Sequence, residues 1–297
     1  MTDSGAPGSP LEPRDSDPYR APQSGSAPEA SHGGGGPSEP RDWEPVEALR
    51  FGFEAVKRYP ISILAAFVAS LVGSIVGGIG GAAQNLLGMN GDQRLAMLGI
   101  VVYGVSMLLN IPLAAWMGLG QARYGLALAS GERPELSVLF RGDGLMAAIG
   151  AQCVYFFGGV LLGGVLFLPA ILLLKEQWPD PGLEVLLAAG AGALVFTPVA
   201  LYFVTRICLA NCAIAERGLG AFDAISESWR MTSGQVWPFV LFFLLFFVLA
   251  IVAYIAGLLL CCVGLLATVP AATMVFYIAT GYAYWKRSGV EPVLPPV

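Results

Sequence analysis

The sequence predicts an all-α fold, a polytopic integral membrane protein with six transmembrane helices. Three observations carry the prediction. Hydrophobic residues make up 56% of the 297-residue chain, and the mean hydropathy of +0.67 lies outside the range of soluble domains. Charged residues are only 12%, about half the usual globular share. Finally, 10 of the 37 charged side chains fall within residues 1–42, which leaves long uncharged runs in the rest.

Residues 1–42 are rich in Pro, Gly, Ser and Ala and include the run Gly33 to Gly36. Such a segment holds too little apolar surface to offset the entropy of ordering it, and is expected to be a disordered cytoplasmic tail. It lacks the basic start and apolar core of a cleavable signal. Most of the net charge of -5 resides here, and no basic face is left for nucleic acid. The tail is expected either to be a solvated leader or to capture a protein partner.

A bilayer core needs roughly 20 apolar residues per helix. Uncharged candidates run from Ile61 to Ala83, Leu95 to Ala122, Gly144 to Leu174 and Val185 to Thr205. The last run, Met231 to Trp285, has 55 residues without a charge, and as one helix would be about 80 Å long. It must turn back, and Cys261, Cys262 and Gly264 place the turn between Leu258 and Leu265. A membrane domain of residues 43–288 and a short Pro-rich C-terminal tail, 289–297, follow.

Lysine and arginine fix the orientation. With six spans, one side receives Arg50, Lys57, Arg58, Arg123, Arg133, Arg141, Arg206, Arg217, Arg230, Lys286 and Arg287, while the other keeps only Arg94 and Lys175. Both termini are therefore expected in the cytoplasm. Tyr59, Tyr124, Trp178, Trp237, Tyr282 and Trp285 fall at expected span ends, where amphipathic rings favour the headgroup layer.

Ahead of the first span, Val46, Leu49, Phe53 and Val56 recur at helical spacing. Phe222, Ile225, Trp229 and Thr232 repeat the pattern ahead of the fifth, at a constant offset. Each stretch leads to an aromatic-proline pair, Tyr59-Pro60 or Trp237-Pro238. Both read as cytoplasmic helices lying in the membrane surface, with Phe222, Ile225 and Trp229 as the anchor of the second. A weaker copy, Glu135 to Asp143, precedes the third span. The chain thus reads as three units of interfacial helix plus hairpin.

The stretch Ala221-Phe-Asp-Ala-Ile-Ser-Glu-Ser-Trp229-Arg, followed by Trp237-Pro238 and an apolar hairpin, resembles uncharacterised bacterial six-helix membrane families. These are akin to the membrane domain attached to some glycerophosphoryl diester phosphodiesterases. Asp17-Pro-Tyr-Arg-Ala-Pro22 also resembles leaders on such proteins. The likeness covers about residues 43 to 288. It implies a fold and a place in the bacterial inner membrane, and no activity, because no soluble phosphodiesterase domain accompanies it.

Function is bounded mainly by exclusion. No Asp, Glu or His lies at mid-span, which argues against ion-coupled transport. The only histidine, His32, is in the tail, so Ser-His and Cys-His pairs and a four-ligand zinc site are not expected. No cofactor, metal or catalytic residue is expected, and the chain reads as a non-enzyme.

Ala65, Ala69, Gly73, Gly77 and Gly81 form a small-residue stripe every fourth position of the first span, and Gly159 and Gly163 a shorter one. Such stripes let helices approach closely, here within the chain, with self-association into a homo-oligomer as the alternative. Phe239, Phe243 and Phe246, with Asn110, form a candidate groove for acyl chains, against a bland reading as core or lipid-facing residues. The favoured function is a non-catalytic membrane scaffold or partner-binding protein in contact with membrane lipids. The alternative is a carrier or permease-like module for lipid or another uncharged hydrophobic solute.

Overall fold

A computed structural model describes residues 41–88, 93–176, 182–259 and 264–296. The tail ahead of residue 41, Trp178, Cys261 and Cys262 lie outside the described residues. Nine α-helices and one short 3-10 helix are described, and no strand beyond an isolated bridge between Ser130 and Val293. Five helices are long and apolar enough to cross a membrane, or up to six if α1 and the start of α2 count as one bent span.

α1 (Pro45–Arg58) opens with proline in its first turn, where a missing N–H costs nothing, and runs from Glu47 to Lys57 and Arg58 in keeping with its dipole. Tyr59 and Pro60 end it, and the chain turns by 103° into α2 (Ile61–Gly88). α3 (Gln93–Ala129) is one 37-residue helix that continues through Pro112. The 3-10 helix Leu136–Phe140 stands where the weaker third copy was expected. α4 (Leu145–Glu176) and α5 (Leu183–Ile207) follow.

A break at Cys208 and Leu209 divides α5 from α6 (Ala210–Arg217), which closes on Gly218 in the left-handed region at φ 64°. α7 (Ala221–Thr232) precedes α8 (Val236–Leu259) and α9 (Leu265–Arg287). Pro238 falls in the first turn of α8; α8 ends at Leu259 and α9 begins at Leu265, and the expected turn between them falls mostly outside the described residues.

The long helices pack as three hairpins, α2 on α3, α4 on α5 and α8 on α9. The short elements dock on hairpins other than those they lead into. α1 lies on α9 and α8, the 3-10 helix on α3 and α2, and α7 on α4, α5 and α6. Helix α9 is central: half of its apolar stretch is buried, against 11% or less for the other spans so tested.

Glycines set the closest approaches. A Cβ at Gly125 in α3 would lie 2.5 Å from the carbonyl oxygen of Tyr277 in α9, and one at Gly281 would lie 3.0 Å from that of Gly125. One at Gly120 would overlap the backbone of Leu139, so the 3-10 helix rests directly on α3. The C-terminal segment is also docked, with the Val293 N–H donating to Ala129 and Arg133 to the carbonyl of Pro296.

Candidate functional site

The small-residue stripe runs along α2. Ala65 and Ala69 are buried, Ala65 in a cluster with Tyr124, Leu128 and Met274 of α3 and α9. Gly81 has no neighbour within 4 Å of a Cβ placed on it, so the stripe is in close contact at its first residues and open at its last. Gly73 and Gly77 belong to the same helix, and their surroundings fall outside the described set. The close approaches of α3, Gly120 to Leu139 and Gly125 to Tyr277, lie outside that stripe.

The anchor residues of α7 are displayed rather than buried. Phe222 is 76% exposed, Ile225 is partly buried, and Trp229 is 38% exposed beside the rings of Tyr202 and Phe203. The Arg206 guanidinium lies 4.9 Å from the Trp229 ring centre and donates to the Trp229 carbonyl and the Ser233 hydroxyl. What α7 buries is the neighbouring row Ala224, Ser228, Met231 and Thr232. α1 does likewise, burying Ala48, Gly52, Ala55 and Val56 while Val46 and Phe53 stay exposed. Of the expected end-of-span aromatics, Trp237 is exposed, whereas Tyr124 and Tyr282 are buried in the bundle.

The candidate groove residues do not assemble as one wall. Asn110 lies partly exposed on α3, away from both cavities described below. Phe239 is fully buried against Trp43, at 4.6 Å between ring centres, and Phe246 packs on Phe276 at 4.7 Å. Only Phe243 reaches a cavity. Asn110 and the phenylalanines share neither helix nor face, which linear spacing does not reveal.

That cavity, of about 240 Å³, is a half-open recess bounded by α3, α4, α5, α6, α8 and α9. Ala122, Val204, Phe243 and Phe276 give it apolar sides, and Tyr155, Cys208, Asn211, Cys212, Tyr277 and Thr280 bring polar atoms. The break after α5 places Asn211 and Cys212 there. It would leave backbone groups orphaned, and Ser228 of α7 supplies both, accepting from the Leu209 N–H at 3.1 Å and donating to the Arg206 carbonyl at 2.8 Å. Tyr155 donates to the Ile207 carbonyl, Thr280 to Phe276 and Cys208 to Thr205. Cys153, Cys208 and Cys212 are free thiols.

A second, apolar groove of about 440 Å³ lies between α4 and α5. Gly158 and Gly159 form part of its floor, where a Cβ would meet nothing within 4 Å, and Leu162, Val165, Phe196 and Phe203 line its sides. Tyr155 and Val204 line both spaces and form their common wall. None of the residues lining either space is charged.

At the end of the bundle carrying α6 and α7, Glu227 accepts from Arg230 and Arg217, and Tyr284 donates to Glu216. The hydrogen bonds from Arg230 hold the Glu227 carboxyl below its usual range. Among the described residues no group of three metal-ligating side chains occurs. Comparison of the chain with known protein families, with curated proteins and with solved structures gives no match.

Proposed function

We propose that this chain is a non-catalytic membrane protein that takes up a lipid from the bilayer, a carrier-like module rather than a pure scaffold. The observation that carries the reading is the apolar groove between α4 and α5, which shares a wall with a half-open recess bearing polar groups. A space of this size, lined by apolar side chains with a few polar atoms, has the make-up of a ligand site. Its absence of charge suits a solute that is dissolved in hydrocarbon.

The proposal includes six spans with both termini in the cytoplasm of the bacterial inner membrane, on the strength of the lysine and arginine asymmetry. Reporters after Gly142, Gly218 and Val290 are expected to score cytoplasmic, and those after Gly91 and Asp180 exterior. It also includes three related units. Supporting this, Ala48, Gly52, Ala55 and Val56 of α1 and Ala224, Ser228, Met231 and Thr232 of α7 are the buried sets at one constant offset. Each short element docks on the hairpin before it in cyclic order. The resemblance to bacterial six-helix families belongs to the same proposal and adds no activity.

A partner-binding reading keeps one observation of its own. Arg41 pairs with Glu291, Asp42 accepts from Gln235, and Trp43 is held between Phe239 and Phe242, so the chain leaves the bundle at a fixed point. Lipid and protein co-purifying from mild detergent are to be measured on one sample. An enriched lipid near one per chain, lost in Gly159→Leu, supports the carrier. A stoichiometric protein with no enriched lipid overturns it in favour of the scaffold.

A further inference from the structure

We infer that the half-open recess receives the head of this lipid, and that the head is uncharged and hydrogen-bonding, held by Asn211 and Tyr277. The inference rests on the lipid-binding reading above and specifies its ligand. A Cβ placed on Gly118 of α3 would lie 3.5 Å from the Asn211 amide nitrogen and 3.7 Å from the Tyr277 hydroxyl. Two polar groups from α6 and α9 therefore converge on one point of α3, where glycine leaves room.

Among the described residues neither group has a hydrogen-bond partner, whereas the Tyr155, Cys208 and Thr280 groups beside them are each engaged. Polar groups shielded from water are expected to find a partner, and a bound ligand would supply one here. An amide donates and accepts, and a phenol does both, so together they match a hydroxyl or ester carbonyl. A phosphate or carboxylate would find no cation among the lining residues and would be penalised by desolvation. The chain of such a ligand continues past the common wall at Tyr155 and Val204 into the groove floored by Gly158 and Gly159. The ligand class is a single-chain neutral amphiphile, a fatty alcohol or a monoacylglycerol.

The test uses the full chain in lipid nanodiscs, with radiolabelled monooleoylglycerol and oleoyl lysophosphatidate as probes of equal chain length. Wild type is expected to hold the neutral probe at least tenfold more tightly. Asn211→Leu is expected to abolish that preference by weakening only the neutral probe. Tyr277→Phe removes one unpartnered hydroxyl and nothing from the fold, and is expected to weaken the neutral probe about threefold to tenfold. Gly159→Leu fills the groove and is expected to lower both probes together. If Gly159→Leu weakens binding while Asn211→Leu and Tyr277→Phe leave the preference intact, the head assignment is wrong and the lipid reading stands. Equal or tighter binding of lysophosphatidate also overturns the assignment. Binding of neither probe by folded wild type removes the lipid reading and the assignment together.

Discussion

Helices α1 and α7 solve the same packing problem with different residues. Both bury a row of small or slender side chains and expose large apolar ones. At the matching position α1 has Gly52 and α7 has Ser228. Gly52 faces unbroken α9, where a Cβ would lie 2.8 Å from the carbonyl oxygen of Val275, so only a bare backbone fits. Ser228 faces the break between α5 and α6 and supplies the donor and acceptor that the break leaves open. A continuous partner helix calls for no side chain, and a broken one calls for a small polar side chain.

The largest expected effect lies at the approach to α1. Trp43 fills a pocket against Phe239 and Phe242, and Trp43→Ala is expected to cost about 3–5 kcal/mol through the cavity it leaves. Its indole N–H has no partner among the described residues, so Trp43→Phe is expected to recover most of that loss in thermal melts in detergent. Equal damage from both changes would mean that shape alone does not hold the segment.

Next comes the position that separates the two helices. Ser228→Ala leaves a buried N–H without its acceptor and should cost about 1–3 kcal/mol. Gly52→Ala, the reverse change in size, should cost a similar amount by overpacking against backbone. The exchange Gly52→Ser with Ser228→Gly should be worse than either, and a neutral result would show the two sites to be interchangeable.

The smallest effect concerns the exposed side of α7. Glu227→Gln weakens pairs with Arg217, which is partly exposed, and Arg230, which is largely in solvent, and is expected to cost about 1 kcal/mol or less. Because the folded carboxyl titrates below its ordinary range, wild-type stability from this group is present above that range and is lost as pH falls through the folded value. The difference between wild type and Glu227→Gln, followed by melts from pH 7 downward, should therefore vanish at acid pH. A difference that persists once the folded carboxyl is protonated would assign the effect to packing.

Much of this was legible in the sequence, and the residues show where legibility ended. Uncharged runs located the long helices, because length and charge alone decide those. At α1 and α7 periodicity picks out Val46, Phe53, Phe222 and Trp229, which the bundle leaves exposed, while the contacts with the bundle are formed by a row of mostly small residues that periodicity does not weight. The cavity was not legible, since it depends on a two-residue break and on Asn211, Tyr277 and Gly118 meeting from three helices.

Glu291 accepts from Lys286 with one oxygen and from Arg41 with the other, which brings the two described ends of the chain to one carboxylate. The order in which the helices are spelled is then separable from the order in which they pack. A gene rearranged to begin at Leu219, with a short linker from Pro296 to Arg41 and new termini at Gly218 and Leu219, would preserve every helix pairing described above. The bundle is in that sense a closed circuit, and its present starting point is one of several at which the same molecule could be read.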